Sequence, residues 1–178
     1  MPIRTFILTA ILSTLSLFSV GIAQEQTTAP PDTLITLDRF PNAFNSGTRY
    51  TLTISSDGKV IFQRFRNPFV ERFDPKDIAL KPIHATIPEK SVAQLVAEFE
   101  RIKFFSLKDR YAKTEDGCPG VWSDQGGAEI SIRINGKEKT IGHYHGCARE
   151  GLGKAYPEDL TSLEDKIDEV VGTERWLK

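Results

Sequence analysis

Apolar and polar residues alternate over several short stretches of this chain and recur at helical spacing over two longer ones. Residues 50–54 (YTLTI) alternate cleanly, turn at Ser56, Asp57 and Gly58, and return as Val60, Ile61 and Phe62. The length of that turn decides which side chains reach a core. A two-residue turn at Asp57-Gly58 sets Ile54 against Ile61 but Leu52 against Gln63. A three-residue turn closing on a left-handed Gly58 sets Ile54 against Val60 and Leu52 against Phe62, four apolar residues on one face, and is the register predicted. Residues 128–134 and 137–144 flank Asn135-Gly136, the strongest two-residue hairpin signal. That turn pairs Ile130 with Ile141 on the core side and Arg133 with Glu138 on the other. Residues 34–39 (LITLDR) alternate weakly as a first strand, and residues 82–86 read as an edge strand after a loop over 67–82.

Two helices are each led by a proline. Pro88 opens PEKSVAQLVAEFERI, where Val92, Leu95, Val96, Phe99 and Ile102 recur at helical spacing. Pro157 opens PEDLTSLEDKIDEVV, with Leu160, Leu163, Ile167, Val170 and Val171 as its stripe. Glu158 and Asp159 suit its N-terminus, and Gly172 terminates it. Trp176 and Leu177 are expected to lie back on the core. Hairpin, helix, hairpin, helix predicts an α+β fold: two antiparallel hairpins forming one sheet, with two main helices packed on one face.

Residues 1–23 stand outside that pattern. Arg4 precedes an apolar run over 6–20 (FILTAILSTLSLFSV), and Gly21 and Ala23 put small residues where signal peptidase inspects, which predicts cleavage before Gln24. The apolar run would span only about 22 Å, short of a ~30 Å hydrocarbon core, so stable membrane insertion is not expected. Residues 24–32 (QEQTTAPPD) read as a flexible leader. One domain over 33–178 remains, exported to the periplasm or the outside of the cell.

Composition narrows the function classes. The 178 residues carry 23 Lys and Arg, 24 Asp and Glu, and a formal net charge of −1. A near-neutral surface lacks the basic footprint that displaces counterions from phosphates, so nucleic acid is not an expected partner. Two cysteines are too few for a disulfide-stapled miniprotein or a four-cysteine zinc site.

The runs TLTISSDGKVIF, LVAEFERIKFFSLKDRY, INGKEKTIGHYHG and LEDKIDEVVGTERW resemble a widespread bacterial family known only as domain of unknown function sixty-four thirty-eight. The resemblance extends from Thr36 to Leu177, and the FFSLKDRY block and GTERW ending are its more specific parts. It implies a small, often exported α+β domain and carries no activity with it. Many members have two nearby cysteines just before the first hairpin. Residues 41–47 (PNAFNSG) have none, so a role for that pair does not transfer.

One constellation could carry chemistry. Cys118 lies in a Gly/Pro-rich loop, and His143, His145 and Cys147 are spaced by two in HYHGC. Continued as a strand, that spacing sets all three on the face of Ile141. Two imidazoles and two thiolates suit a tetrahedral zinc or copper site. An exported protein more simply oxidises the two thiols: a Cys118–Cys147 disulfide would close a 30-residue loop and contribute roughly 3 kcal/mol. That disulfide is the favoured expectation, with the histidines packed half-buried, or one of them turned outward by a bulge at Gly142 or Gly146, and no cofactor. It also removes the free thiolate a cysteine nucleophile needs. No GxSxG, HExxH, P-loop or dinucleotide fingerprint occurs. The loop carboxylates Glu115, Asp116, Asp124 and Glu129 would serve a hydrolase only if two faced each other across a cleft; like Asp74, Lys76 and Asp77, they read as surface. Phe62, Phe65, Phe69 and Phe73 interleave with Arg64, Arg66 and Arg72, a mixture that suits a partner surface. The sequence thus predicts no catalytic residue, and a non-catalytic binding or interaction module for an unidentified protein or small ligand. Its rivals are a metal or redox site at His143, His145, Cys118 and Cys147, and a hydrolase using loop carboxylates.

Overall fold

The computed structural model describes residues 28–42, 48–66, 79–149 and 154–177. Residues 1–23, read above as an export signal, residues 24–27 of the expected leader, and Phe69, Arg72, Phe73, Asp74, Lys76 and Asp77 lie outside the described residues. Among the described residues, seven strands and two α-helices follow in the order β1 (Leu34–Phe40), β2 (Arg49–Ser55), β3 (Lys59–Phe65), β4 (Ile83–Thr86), α1 (Glu89–Arg101), β5 (Arg110–Tyr111), β6 (Gly127–Ile134), β7 (Lys137–Tyr144) and α2 (Glu158–Val171). They form one sheet in the spatial order β4-β3-β2-β1-β6-β7-β5.

The α+β class holds, but the sheet is not a pair of antiparallel hairpins. β1 sits at its centre, antiparallel to β2 on one side and to β6 on the other, and so joins the two hairpins. Its alternation placed it on a strand without naming its neighbours. The sheet is also mixed, because the two-residue β5 runs parallel to β7, pairing Arg110 with Gly142 and Tyr111 with His143. A two-residue strand has no periodicity to read.

Both hairpin registers follow the burial argument. Ile54 opposes Val60 and Leu52 opposes Phe62, across a turn whose Gly58 has φ +76°. A Cβ at Gly58 would lie 2.1 Å from the Ile87 carbonyl oxygen, so this glycine answers both to its dihedral and to a close backbone approach. At the second turn Asn135 and Gly136 have φ of 51° and 70°, and Ile130 opposes Ile141. Strand alternation sends Ile35, Leu37, Leu52, Ile54, Val60, Phe62, Ile130, Ile132 and Ile141 into one core.

The helices cover that face. Val92, Leu95, Val96, Phe99 and the following Ile102 are buried from α1, and Leu160, Leu163, Ile167 and Val171 from α2. Gly172 ends α2 at φ +71°. Trp176 lies back against Phe62 with ring centroids 5.0 Å apart. Contacts also reach ahead of Thr33: Asp32 accepts hydrogen bonds from the Asn135 and Gly136 amides at 2.9 and 2.7 Å.

Candidate functional site

The buried face of α2 is not wholly apolar. Glu164 follows Leu160 by four residues and precedes Ile167 by three, so helical geometry places it inside the apolar stripe, and it is fully buried. Above it stands the end of β7. His143 shares the face of Ile141, and its Nδ1 lies 2.6 Å from Glu164 Oε1. β7 stops at Tyr144, where the chain turns through His145 and Gly146. A Cβ at Gly146 would meet the Trp122 carbonyl oxygen at 2.1 Å, so the turn is built around a missing side chain. Neither His143 nor His145 is turned away: past the turn, His145 Nε2 lies 2.9 Å from Glu164 Oε2. His143 is buried, whereas the His145 side chain stays 27% exposed.

From β1, Arg39 continues the core-facing series of Ile35 and Leu37 and meets α2 with its guanidinium. Its Nη1 donates to Glu164 Oε2, its Nε to Asp168 Oδ2 and its Nη2 to Asp165 Oδ1, each at 3.0 Å. Tyr50 on β2 donates to Asp168 Oδ1 at 2.6 Å, and Thr173 to the same oxygen at 3.1 Å. One carboxylate therefore receives two imidazoles and a guanidinium, and the next turn of the helix receives the same guanidinium and a phenol.

Electrostatics follow from this packing. Burial pushes the Glu164 carboxyl up, but hydrogen bonds from His143 and His145 and the charges of His143 and Arg39 outweigh it and hold the group at about 2. Burial likewise opposes the Arg39 charge, and Glu164 and Asp168 more than restore it. The Tyr50 hydroxyl is pushed up by burial and by the neighbouring Asp168 charge. His143 Nε2 lies 3.1 Å from the Tyr156 carbonyl oxygen, which can only accept. With Glu164 at Nδ1, the ring faces an acceptor at each of its nitrogens.

The sulfurs stand apart from this cluster. Cys118 and Cys147 lie at bonding distance, S–S 2.05 Å, with Cα atoms 5.1 Å apart. The four-ligand set of two histidines and two cysteines is therefore not assembled: the sulfurs face each other, and the third group beside the histidines is Glu164. Among the described residues, the His, Cys, Asp and Glu side chains that converge as metal ligands are His143, His145 and Glu164, with ligand atoms within 4.8 Å of one another. The loop carboxylates do not converge. Asp116 accepts from the Ala112 and Lys113 amides in its own turn. Glu129 stands on the open face of β6, and Glu115 and Asp124 are exposed in separate turns.

The loop closed by the disulfide carries an exposed apolar pair. Val121 and Trp122 are each 48% exposed. They are held from beneath: the Trp122 amide donates to the Gly146 carbonyl at 2.8 Å, and Tyr144 donates its hydroxyl to the Trp122 carbonyl at 2.7 Å. Tyr144 also borders a shallow depression of about 430 Å³ lined by Phe40, Arg110, Ala112, Gly142 and His143. Sequence reasoning found His143 and His145 but missed Glu164, Arg39, Tyr50, Asp168 and Trp122. For Glu164 and Arg39 a signal existed: each is a charge at a position whose periodicity points inward.

Residues 34–171 match the model of the domain of unknown function DUF6438. That span is most of the chain, and the chain belongs to this family. No curated protein matches it.

Proposed function

We propose that this DUF6438 member is an exported, non-catalytic interaction module whose contact surface is the aromatic end of the sheet around Trp122. The observation that carries the reading is the contrast between the molecule's two distinctive features. The ionisable groups Arg39, Tyr50, Glu164 and Asp168 are spent on one another: Tyr50 and Glu164 are buried, and Asp168, which borders an open depression of about 710 Å³, has its oxygens taken by Arg39, Tyr50 and Thr173. Trp122 and Val121, by contrast, are presented to solvent on a loop tied by two hydrogen bonds to neighbouring backbone and side chain. Phe40 is 39% exposed at the same end of the sheet, beside Tyr144 and Arg110. Exposed Trp, Tyr and Arg on a rigid frame are the side chains that dominate protein contact energies, because little rotamer freedom is lost on binding. Export rests on the charged, apolar and small-residue pattern of residues 1–23, and a cysteine pair at bonding distance suits an oxidising compartment.

Photo-crosslinking in a cell that exports the protein tests the surface. A photoreactive residue in place of Trp122 is expected to yield a discrete protein adduct, and one in place of exposed Lys137 at the far hairpin turn is not. Equal labelling from both positions, or none from position 122, overturns the surface. Turnover of any substrate in a hydrolase panel, abolished by Glu164→Gln in protein that remains folded, overturns the non-catalytic assignment.

A further inference from the structure

We propose that His143, His145 and Glu164 bind one zinc-like divalent ion, which fastens α2 to the end of β7. This goes beyond the contact surface and does not depend on it.

Three observations carry the site. The first is the donor set. Two imidazoles and a carboxylate, with ligand atoms within 4.8 Å of one another, are the ligand types that suit zinc and its neighbours in the first transition row. A zinc ion about 2.0–2.2 Å from each ligand atom sets neighbouring ligand atoms roughly 3.3 Å apart. The present 2.6 and 2.9 Å separations of the imidazoles from Glu164 are hydrogen-bond lengths, so side-chain shifts of under about 1 Å open the site.

The second is outer support. A metal-bound histidine usually donates its other nitrogen to a carbonyl or carboxylate, which fixes the ring. His143 does this already, with Nε2 on the Tyr156 carbonyl and Nδ1 turned to Glu164. Arg39 holds the carboxylate by donating at 3.0 Å to Oε2, the oxygen that His145 also meets.

The third is charge. Arg39 brings one positive charge against the carboxylates of Glu164, Asp165 and Asp168. Metal-bound imidazoles are neutral, so with the ligands engaged the three carboxylates exceed the Arg39 charge by two, which a divalent ion supplies. On binding, metal–nitrogen bonds replace the hydrogens at His143 Nδ1 and His145 Nε2; each displaced proton passes to solvent from a doubly protonated ring or to the other ring nitrogen of a neutral one, so both rings end neutral and no group changes oxidation state. The edge of His145 gives solvent its route in and leaves the fourth position to water; His143 and Glu164 are closed off. Such an ion would link the strand end to the helix.

The test is zinc titration of the purified protein with its disulfide intact, followed by cobalt as a spectroscopic substitute. One equivalent of zinc is expected, raising the melting temperature, and cobalt should give the intense visible bands of a low-coordinate ion without sulfur charge-transfer absorption. His145→Ala, at the partly exposed ligand, should weaken binding by more than the ~10–100-fold that loss of an outer partner costs. His84→Ala, at the remaining histidine on the far-edge strand β4, should leave it unchanged. Absence of stoichiometric zinc on the unaltered protein overturns the site, as does unaltered affinity in folded His145→Ala. Sulfur bands in the cobalt spectrum do so even if the variant fails to fold.

Discussion

Glu164 shows how much one side chain can bear when it is placed against its own hydrophobicity. A lone buried carboxylate costs several kcal/mol in lost hydration, which partners must offset. Here the partners come from three elements: His143 and His145 from the end of β7 and the turn after it, and Arg39 from β1. The group is shifted from its ordinary 4.5 down to about 2. A depressed carboxyl stabilises the fold in full above the unfolded value and loses that effect as the pH falls through the folded one. Metal-free protein should therefore lose about 3 kcal/mol of stability between pH 4.5 and 2 through this group. Around it stand Asp165, Asp168, Arg39 and both imidazoles. Urea unfolding across that window should show the acid loss, and Glu164→Gln should flatten it. At neutral pH the same variant removes the carboxylate that Arg39, His143 and His145 share, leaving Arg39 with Asp165 and Asp168, and should cost about 3 kcal/mol. An unchanged acid limb in folded Glu164→Gln would show that another group carries it.

At the scale of elements, the two hairpin turns offer a controlled comparison. Gly58 and Gly136 both adopt left-handed backbone, at φ +76° and +70°, but a Cβ at Gly136 meets nothing within 4 Å whereas one at Gly58 lies 2.1 Å from the Ile87 carbonyl oxygen. Gly136→Ala should cost roughly the 1–2 kcal/mol of a left-handed alanine. Gly58→Ala should cost clearly more, because the backbone at Ile87, just after β4, must also retreat from the turn. Denaturant midpoints of the two variants measure the difference, and equal losses would refute the steric part. These turns also show what was legible. The register of β2 and β3 could be read because its two candidates differ in how many apolar residues they bury. The second hairpin could be read because Asn135-Gly136 permits little else. The central place of β1 could not, since alternation specifies a face and says nothing of neighbours. β5 pairs through two residues and escapes any periodic test. The candidate site was half legible: HYHGC announced the histidines, while Glu164 and Arg39 were hidden among apolar positions that were read only as packing.

For the whole molecule, the link between Cys118 and Cys147 ties the loop that bears Trp122 to the segment after β7. Closing a loop across a sequence separation of 29 removes chain entropy from the unfolded state worth roughly 3–4 kcal/mol. Reduction, or Cys118→Ser with Cys147→Ser, should lower the melting temperature by about 6–15 °C in a domain of this size. Calorimetry of the oxidised and reduced forms measures it, and coincident transitions would show that the link contributes nothing.

The hold of Asp32 on the Asn135 and Gly136 amides has a consequence for orientation. It fixes the point where the preceding chain leaves the sheet, beside the second hairpin turn. From there β1 runs its seven residues to Phe40, about 23 Å at strand rise, and arrives at the end where Gly127, Tyr144 and Trp122 stand. A leash on the N-terminal side thus pulls from the pole opposite the aromatic one. Whatever grips this domain ahead of residue 32, whether a carrier protein, a bead or a cell surface, turns Trp122 outward with the full length of the central strand as its reach.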